Sequence, residues 1–387
     1  MATGAYRVAI VAGETSGDQL GAALIGALRE RCPDLLVRGV CGPLMQALGC
    51  EPLAAASELS VMGLAEVLAH LPRLLRLRRR LRREFSAWRP DVFIGIDAPE
   101  FNLGLAAKLH AAGIKTVQYV SPQVWAWRQH RVAHIARSCD LVLCVLPFEP
   151  AFYARHAVRA EFVGHPLADQ IELDVDRGAA RDALGLDAEA IVVALLPGSR
   201  SAEVARLGPD FLAAACLLAK RWPAAQFIAP VAAPALRSLL EQQLQRLAMP
   251  PGRLRLLDGQ ARVALQAADV ALVASGTASL EALLCACPMV VAYRLSPVTA
   301  FMLRILRMVR LPYFSLPNLL AGERLVPEFL QEQVSPAPLA AAVQGQWEDA
   351  PRRALLAARF RTIHQTLRQG GAARAAEAVL ELRGAGV

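Results

Sequence analysis

Short apolar runs recur along this chain, each closed by a turn rich in glycine, proline or acid and each followed by a helix-like stretch. Arg7–Ala12 leads into Gly13-Glu14-Thr15-Ser16-Gly17-Asp18 and a helix to about Arg31, with a short strand next at Val37–Val40. Val92–Ile96 ends at Asp97-Ala98-Pro99, and Thr116–Val120 and Leu141–Val145 continue the series. Such alternation predicts an α/β chain with parallel sheets covered by helices on both faces. Around Leu167–Arg181 the pattern lapses into charge, which reads as a linker, and then restarts. Ile191–Leu195 ends in Pro197-Gly198-Ser199-Arg200, helix Leu207–Arg221 follows, and strands are expected at Gln226–Ile228 and Val270–Val273. Ser275-Gly276-Thr277 opens a helix over Ala278–Cys285, before a strand at Met289–Ala292. The 387 residues exceed one ordinary core. Two Rossmann-like domains facing a cleft are therefore expected, at 1–170 and 171–350. The remainder, 351–387, reads as a helical tail broken at Gly370-Gly371 and packing back on the first domain.

Composition narrows the class. Hydrophobic content of 55% with 20% charged residues describes a globular protein. The net charge of +8 is carried almost wholly by arginine, Lys108, Lys115 and Lys220 being the lysines. Seven arginines crowd Arg73–Arg83, and Arg304, Arg307 and Arg310 interrupt an apolar run. Basic clusters attract phosphate, whether of nucleic acid or of anionic lipid. The eight cysteines include no C-x-x-C, and with no signal peptide visible at Met1–Ala12 they read as reduced thiols in a cytosolic protein. His130 and His134 have helical metal-ligand spacing, but no Cys or acidic cluster completes a site, so no metal is expected. No run reaches the ~18 apolar residues that a membrane span needs.

Several strand ends carry chemistry. Gly13, Gly17 and Gly21 are spaced by four, which fits neither a dinucleotide fingerprint nor a P-loop. That turn, with Glu14 and Asp18, suits a substrate loop or plain capping by Ser16 or Asp18. Asp97, beside Pro99 and Asn102, is either a general base or a turn former. After Thr116–Val120 comes SPQVWAWR, Ser121–Arg128, which holds two of the five tryptophans. There one tryptophan can go to the core and the other to a pocket, or both can simply pack. In the second half, the PGSR turn offers backbone amides and a guanidinium to a diphosphate, with Glu203 one turn on. SGTASLEAL repeats the logic with a helix N-terminus, and Glu281 could bind ribose hydroxyls. Two basic-apolar stretches remain. Leu64, Val67, Leu68, Leu71, Leu74 and Leu75 keep helical spacing, Pro72 being expected to divide that stretch. Phe301, Leu303 and Leu306 alternate with arginines that can snorkel at a lipid interface or edge a packed helix.

Taken together, GETSGD (13–18), IDAPEFN (96–102), SPQVWAWR (121–128), FVGHPL (162–167), LLPGSR with Glu203, SGTASLEALL (275–284) and SLPNLLAGE (315–323) resemble the lipid-A-disaccharide synthases, bacterial enzymes of glycosyltransferase family 19. The resemblance runs through nearly the whole chain. It implies a GT-B fold and transfer of a sugar from UDP-2,3-diacylglucosamine to the 6-hydroxyl of 2,3-diacylglucosamine 1-phosphate, without cofactor or metal. It also implies work at the cytoplasmic face of the inner membrane by peripheral contact, with Leu64, Leu68, Leu71, Leu75, Phe301, Leu303 and Leu306 toward lipid. Asp97 is expected as base, with Glu14 competing. The UDP set is Gly198, Ser199, Arg200, Ser275, Gly276, Thr277, Glu281 and Asn318, Arg200 also steadying the leaving group. The acceptor set is Gly13, Ser16, Gly17, Asp18, Asn102, Gln123 and Trp125. A homodimer, with or without an exchanged tail, is compatible with these motifs. Other readings are another GT-B enzyme using a UDP-N-acetyl-sugar, of peptidoglycan type or a 2-epimerase, and a nucleic-acid binder using Arg73–Arg83. The last lacks a recognition helix or aromatic platform, so no nucleic-acid partner is expected.

Overall fold

The computed structural model describes residues 5–59, 64–126, 129–247, 249–250, 252–296 and 312–384, with 64–70 and 384 described by backbone alone. The chain forms two compact units, one of residues 1–169 with 367–387 and one of residues 170–366. Residues 350–366 thus stay with the second unit, and the stretch from Leu367 onward joins the first.

In the first unit seven strands form one parallel sheet: β1 Arg7–Ala12, β2 Leu36–Cys41, β3 Cys50–Ala55, β4 Val92–Ile96, β5 Lys115–Tyr119, β6 Leu141–Cys144 and β7 Ala160–Phe162. Their order is β3-β2-β1-β4-β5-β6-β7, so the direction of winding reverses between β1 and β4. Both of these strands are apolar at almost every position and buried on both faces, as a sheet sandwiched by helices requires. The second unit repeats the plan with β8 Val192–Leu196, β9 Gln226–Val231, β10 Leu254–Asp258, β11 Val270–Ala274, β12 Met289–Tyr293 and β13 Glu328–Leu330. Its order, β10-β9-β8-β11-β12-β13, reverses between β8 and β11. Open sheets of this kind bind ligands outside the carboxyl ends of the strands, at the reversal.

One expectation is corrected. The helix Leu64–Trp88 runs unbroken through Pro72. Pro72 is exposed, so water can serve the carbonyl left without its helical N–H, while Leu77, Leu81 and Phe85 bury the opposite face. The boundary between the two units falls within the expected linker Leu167–Arg181, where helices form at Pro166–Gln170 and Arg177–Leu184. Its charges are used: Arg181 is buried against Asp269 at 2.6 Å, and Asp269 also accepts from the Val192 amide at 2.8 Å. Asp169 caps the helix Gly371–Gly384, accepting from the amides of Gly370 at 3.0 Å and Gly371 at 2.7 Å. That helix lays Ala375, Ala376 and Val379 into the first unit, packed on the helix Thr15–Arg31.

Candidate active site

At the reversal in the first unit, the turn after β1 and the turn after β4 meet. A side chain on Gly13 would touch the Ala98 and Leu59 Cβ atoms, and one on Gly17 would sit 3.3 Å from the Ala12 Cβ. The glycines therefore let the first helix start close against the sheet. Asp97 follows β4 directly and adopts φ 49°, with Ala98 at φ 40°. Two consecutive non-glycine residues in the left-handed region are costly and persist only where neighbours hold them. Here the Asp97 amide donates to the Tyr119 carbonyl at 2.9 Å, and its own carbonyl accepts from the side-chain amides of Asn102 at 2.8 Å and Gln118 at 3.1 Å. Gln118 also reaches the carbonyl of Val120, a β-branched residue at φ 69° at the end of β5. Burial raises the pKa of the half-buried Asp97 carboxyl, opposed by a hydrogen bond from the Ala98 amide. The result is a carboxyl group of increased basicity on a braced strand end.

Three members of the expected acceptor set have other duties. Asp18 is buried, and its carboxylate accepts from the amides of Gly42, Leu44 and Met45, capping the short helix Pro43–Ala47. Asn102 is fully buried beneath Asp97, donating to the carbonyls of Ile96 and Asp97. It fits only because residue 95 is glycine, where a Cβ would come within 2.7 Å of the Asn102 Cβ. Trp125 is buried too, its indole N–H donating to Glu149 at 2.9 Å. Gln123, Glu14 and Ser16 are exposed. Trp127 and Arg128 lie outside the described residues. Gln118 and Glu149 escaped the sequence reading; each is a lone polar residue whose partner becomes visible only when strands are paired.

The second unit places Pro197–Arg200 after β8 and Ser275–Thr277 after β11, again at the reversal. Glu203, one turn into the helix Ser201–Arg221, organises the first turn. Its carboxylate accepts from the Ser199 amide at 3.1 Å and pairs with the Arg200 guanidinium at 2.8 Å. Gly198 at φ +132° lies so close to Glu203 that a Cβ would meet the Glu203 Cβ at 2.5 Å. The Ser199 amide is thus engaged within its own turn, whereas the Arg200 side chain is 73% exposed and held by its surface pair with Glu203. Ser275 is likewise engaged, its amide with the Ala292 carbonyl and its hydroxyl with that of Phe314. Gly276 and Thr277 remain exposed at the start of the helix Thr277–Leu284. Glu281 is mostly buried, which raises its pKa, while Arg262 acts to lower it. Asn318 has a structural duty. It is fully buried, donates to the Val326 carbonyl at 3.0 Å and accepts from the amides of Leu325 and Val326 at 2.8 Å each. Asn318 thus ties its own loop together.

Of the lipid-facing set, Leu71 is 43% exposed and Leu75 half-buried on the helix Leu64–Trp88. The side chains of Leu64 and Leu68, and all of Phe301, Leu303 and Leu306, lie outside the described residues. Among the described residues no helix is long and apolar enough to cross a membrane, and no cluster of three His, Cys, Asp or Glu side chains could hold a metal ion.

The family described as lipid-A-disaccharide synthetase matches residues 8–382 of this sequence. The chain belongs to the lipid-A-disaccharide synthase family. The lipid-A-disaccharide synthase of Sodalis glossinidius is 53% identical over 375 residues, 97% of each chain. Among solved structures, a UDP-N-acetylglucosamine 2-epimerase from Listeria monocytogenes superposes with a TM-score of 0.65 at 11% identity, covering 98% of this chain and 96% of that one. HepE of Anabaena, solved with UDP-glucose, gives 0.57 at 16% identity, covering 97% and 99%. At such identities these likenesses speak for the fold, which is GT-B. The enzyme is a glycosyltransferase of lipid A biosynthesis, and the two Rossmann-type sheets are those of its fold class.

Proposed function

We propose that the enzyme transfers the sugar of UDP-2,3-diacylglucosamine to 2,3-diacylglucosamine 1-phosphate in a single inverting displacement, its first unit holding the acceptor and its second the UDP. The observation that carries this reading is Asp97: a carboxyl of raised pKa on a strained strand end, braced from below by Asn102 and Gln118. Asp97 takes the proton of the acceptor 6-hydroxyl as that oxygen bonds to the anomeric carbon. The bond from this carbon to the UDP oxygen breaks, and the electron pair leaves with UDP. Arg200 moves from Glu203 to the diphosphate, and the amides of Gly276 and Thr277 at a helix N-terminus add to the stabilisation of its charge. Glu281 reaches the ribose, and Gln123 contacts the acceptor.

Incubation with UDP-2,3-diacylglucosamine and 2,3-diacylglucosamine 1-phosphate is expected to release UDP and yield the β-1,6 disaccharide phosphate, while UDP-GlcNAc alone is left unchanged. Epimerisation of UDP-GlcNAc, or its equal use as donor, would overturn the reading.

Both substrates carry acyl chains, and the enzyme meets them by peripheral contact with the inner membrane. Leu71 stands out from a helix whose Arg73, Arg76, Arg79 and Arg80 are exposed, an arrangement suited to an anionic lipid surface. Leu71→Glu removes an apolar contact worth up to about 1 kcal/mol, since the residue is already partly buried. Sedimentation with phosphatidylglycerol vesicles is expected to fall roughly fivefold for this variant. Unchanged sedimentation of a protein with native circular dichroism would assign this helix face to water instead.

A further inference from the structure

Backbone strain gathers at the carboxyl ends of two neighbouring strands. Of the eight non-glycine residues at positive φ among the described residues, three lie here: Asp97 and Ala98 after β4, and Val120 after β5. One side chain reaches both ends. Gln118, 1% exposed on β5, aims its carboxamide nitrogen at three carbonyl oxygens, those of Asp97 at 3.1 Å, Val120 at 3.3 Å and Tyr119 at 3.4 Å. Three acceptors around one atom identify it as the nitrogen, because an oxygen there would be repelled by all of them. Its two hydrogens are shared among the three. Across the ladder Gln118 lies beside Gly95, the residue whose missing Cβ admits Asn102. Two carboxamides therefore reach the Asp97 carbonyl, one from the sheet and one from the helix Pro99–His110.

We infer that Gln118 is a positioning residue for sugar transfer: it holds the Asp97 turn in the left-handed conformation that presents the carboxyl to the acceptor, and it acts on the reaction only through Asp97. This rests on the reading of Asp97 as the base. Volume does not explain the side chain. Methionine or leucine would fill the same space without burying an amide, which is unfavourable unless the amide is hydrogen-bonded. Register does not explain it either, since β4 and β5 are already paired along five residues. What the amide adds falls on the carbonyls at the two strand ends, where the chain leaves the ladder in a conformation that residues with a Cβ avoid. Such conformations persist only where the surroundings over-determine them. Once Gln118 is removed, the side chain of Asn102 alone still holds the Asp97 carbonyl. The turn then relaxes and carries the carboxyl away from the acceptor hydroxyl. A displacement on the order of 1 Å is enough to lower a rate by about 10²-fold.

A double-mutant cycle on kcat at saturating acceptor tests this, with the KM for UDP-2,3-diacylglucosamine read alongside. Gln118→Met keeps the length of the side chain and removes its N–H groups. It is expected to lower kcat about 10- to 100-fold and to leave the UDP-sugar KM within about twofold of wild type. In the Asp97→Asn background there is no carboxylate left to position. There the same substitution is expected to reduce the residual rate by less than about threefold. A merely structural residue would act by loss of folded protein and lower both backgrounds by the same factor. Gln118→Asn withdraws the amide by one methylene, and it replaces Gln118→Met in both backgrounds if methionine gives no folded enzyme. Equal losses in the two backgrounds, or wild-type kcat in the folded variant, overturn the inference and leave Asp97 as the base. Near-wild-type kcat in Asp97→Asn itself removes the base, and with it the group that Gln118 would position.

Discussion

Asp97→Asn is expected to lower kcat by about 10²–10⁴-fold while leaving the KM for the UDP-sugar near its wild-type value, because the loss is of a proton acceptor used in the transition state. Asparagine is the informative substitution. It matches aspartate in shape and is among the few residues that tolerate the left-handed backbone that position 97 adopts, so the strand end should survive. Glu14→Gln is the control. Glu14 is exposed at the start of the first helix and its side chain caps nothing there, so its replacement should cost less than about tenfold. The pH dependence follows from the direction of the Asp97 shift. Burial raises its pKa, the base must be ionised to act, and kcat therefore falls as pH drops through that raised value. The acid limb of kcat is expected above the range of an ordinary aspartate, and Asp97→Asn should abolish it. A folded Asp97→Asn enzyme with near-wild-type kcat, alongside an inactive Glu14→Gln enzyme, would transfer the role to Glu14.

Arg200→Ala is expected to reduce kcat/KM by about 2–4 kcal/mol of transition-state stabilisation, roughly 30- to 1000-fold. The guanidinium is mostly exposed and, among the described residues, paired only with Glu203, a surface interaction that contributes little to stability. Thermal unfolding should therefore be nearly unchanged while catalysis suffers. Arg200→Lys should restore only part of the loss, since an ammonium cannot present the parallel donors that a diphosphate accepts. A decrease of less than tenfold for Arg200→Ala would remove this residue from the leaving group. The donor turn would then have to act through Gly276 and Thr277, because the amides of Ser199 and Ser275 are already bonded within the protein.

How much of this was legible in the sequence depended on whether a residue's partner lies nearby along the chain. The central strands β1, β4, β8 and β11 are almost uninterrupted apolar runs, and the turns after them carry Gly13, Asp97, Gly198 and Gly276 at the two reversals. Edge strands were harder. β3 reads CEPLAA, with a proline and an acid, and β7 and β13 are three residues each, too short to show a period. Among polar residues, residue type alone did not reveal the partner. Asp18, Asn102 and Asn318 are the kinds of side chain that hold substrates, yet each is buried and answers backbone groups of its own unit. Pro72 signalled a break that an exposed helix face could absorb. Asp169 looked like part of a charged connector because the amides it caps lie some two hundred residues away.

That last cap bears on the order in which the polypeptide can fold as it leaves the ribosome. The second unit is one continuous segment, residues 170–366, and can close as soon as that segment has emerged. The first unit cannot. Its strands are made early, but the helix Gly371–Gly384 that covers the face of Thr15–Arg31 is made last, and Asp169 has no helix to cap until then. The earlier-synthesised half is thus the later one to finish, its apolar helix face waiting through the translation of the whole second unit, an interval in which nascent chains are exposed to aggregation. Shortening the chain before Leu367 would make that wait permanent.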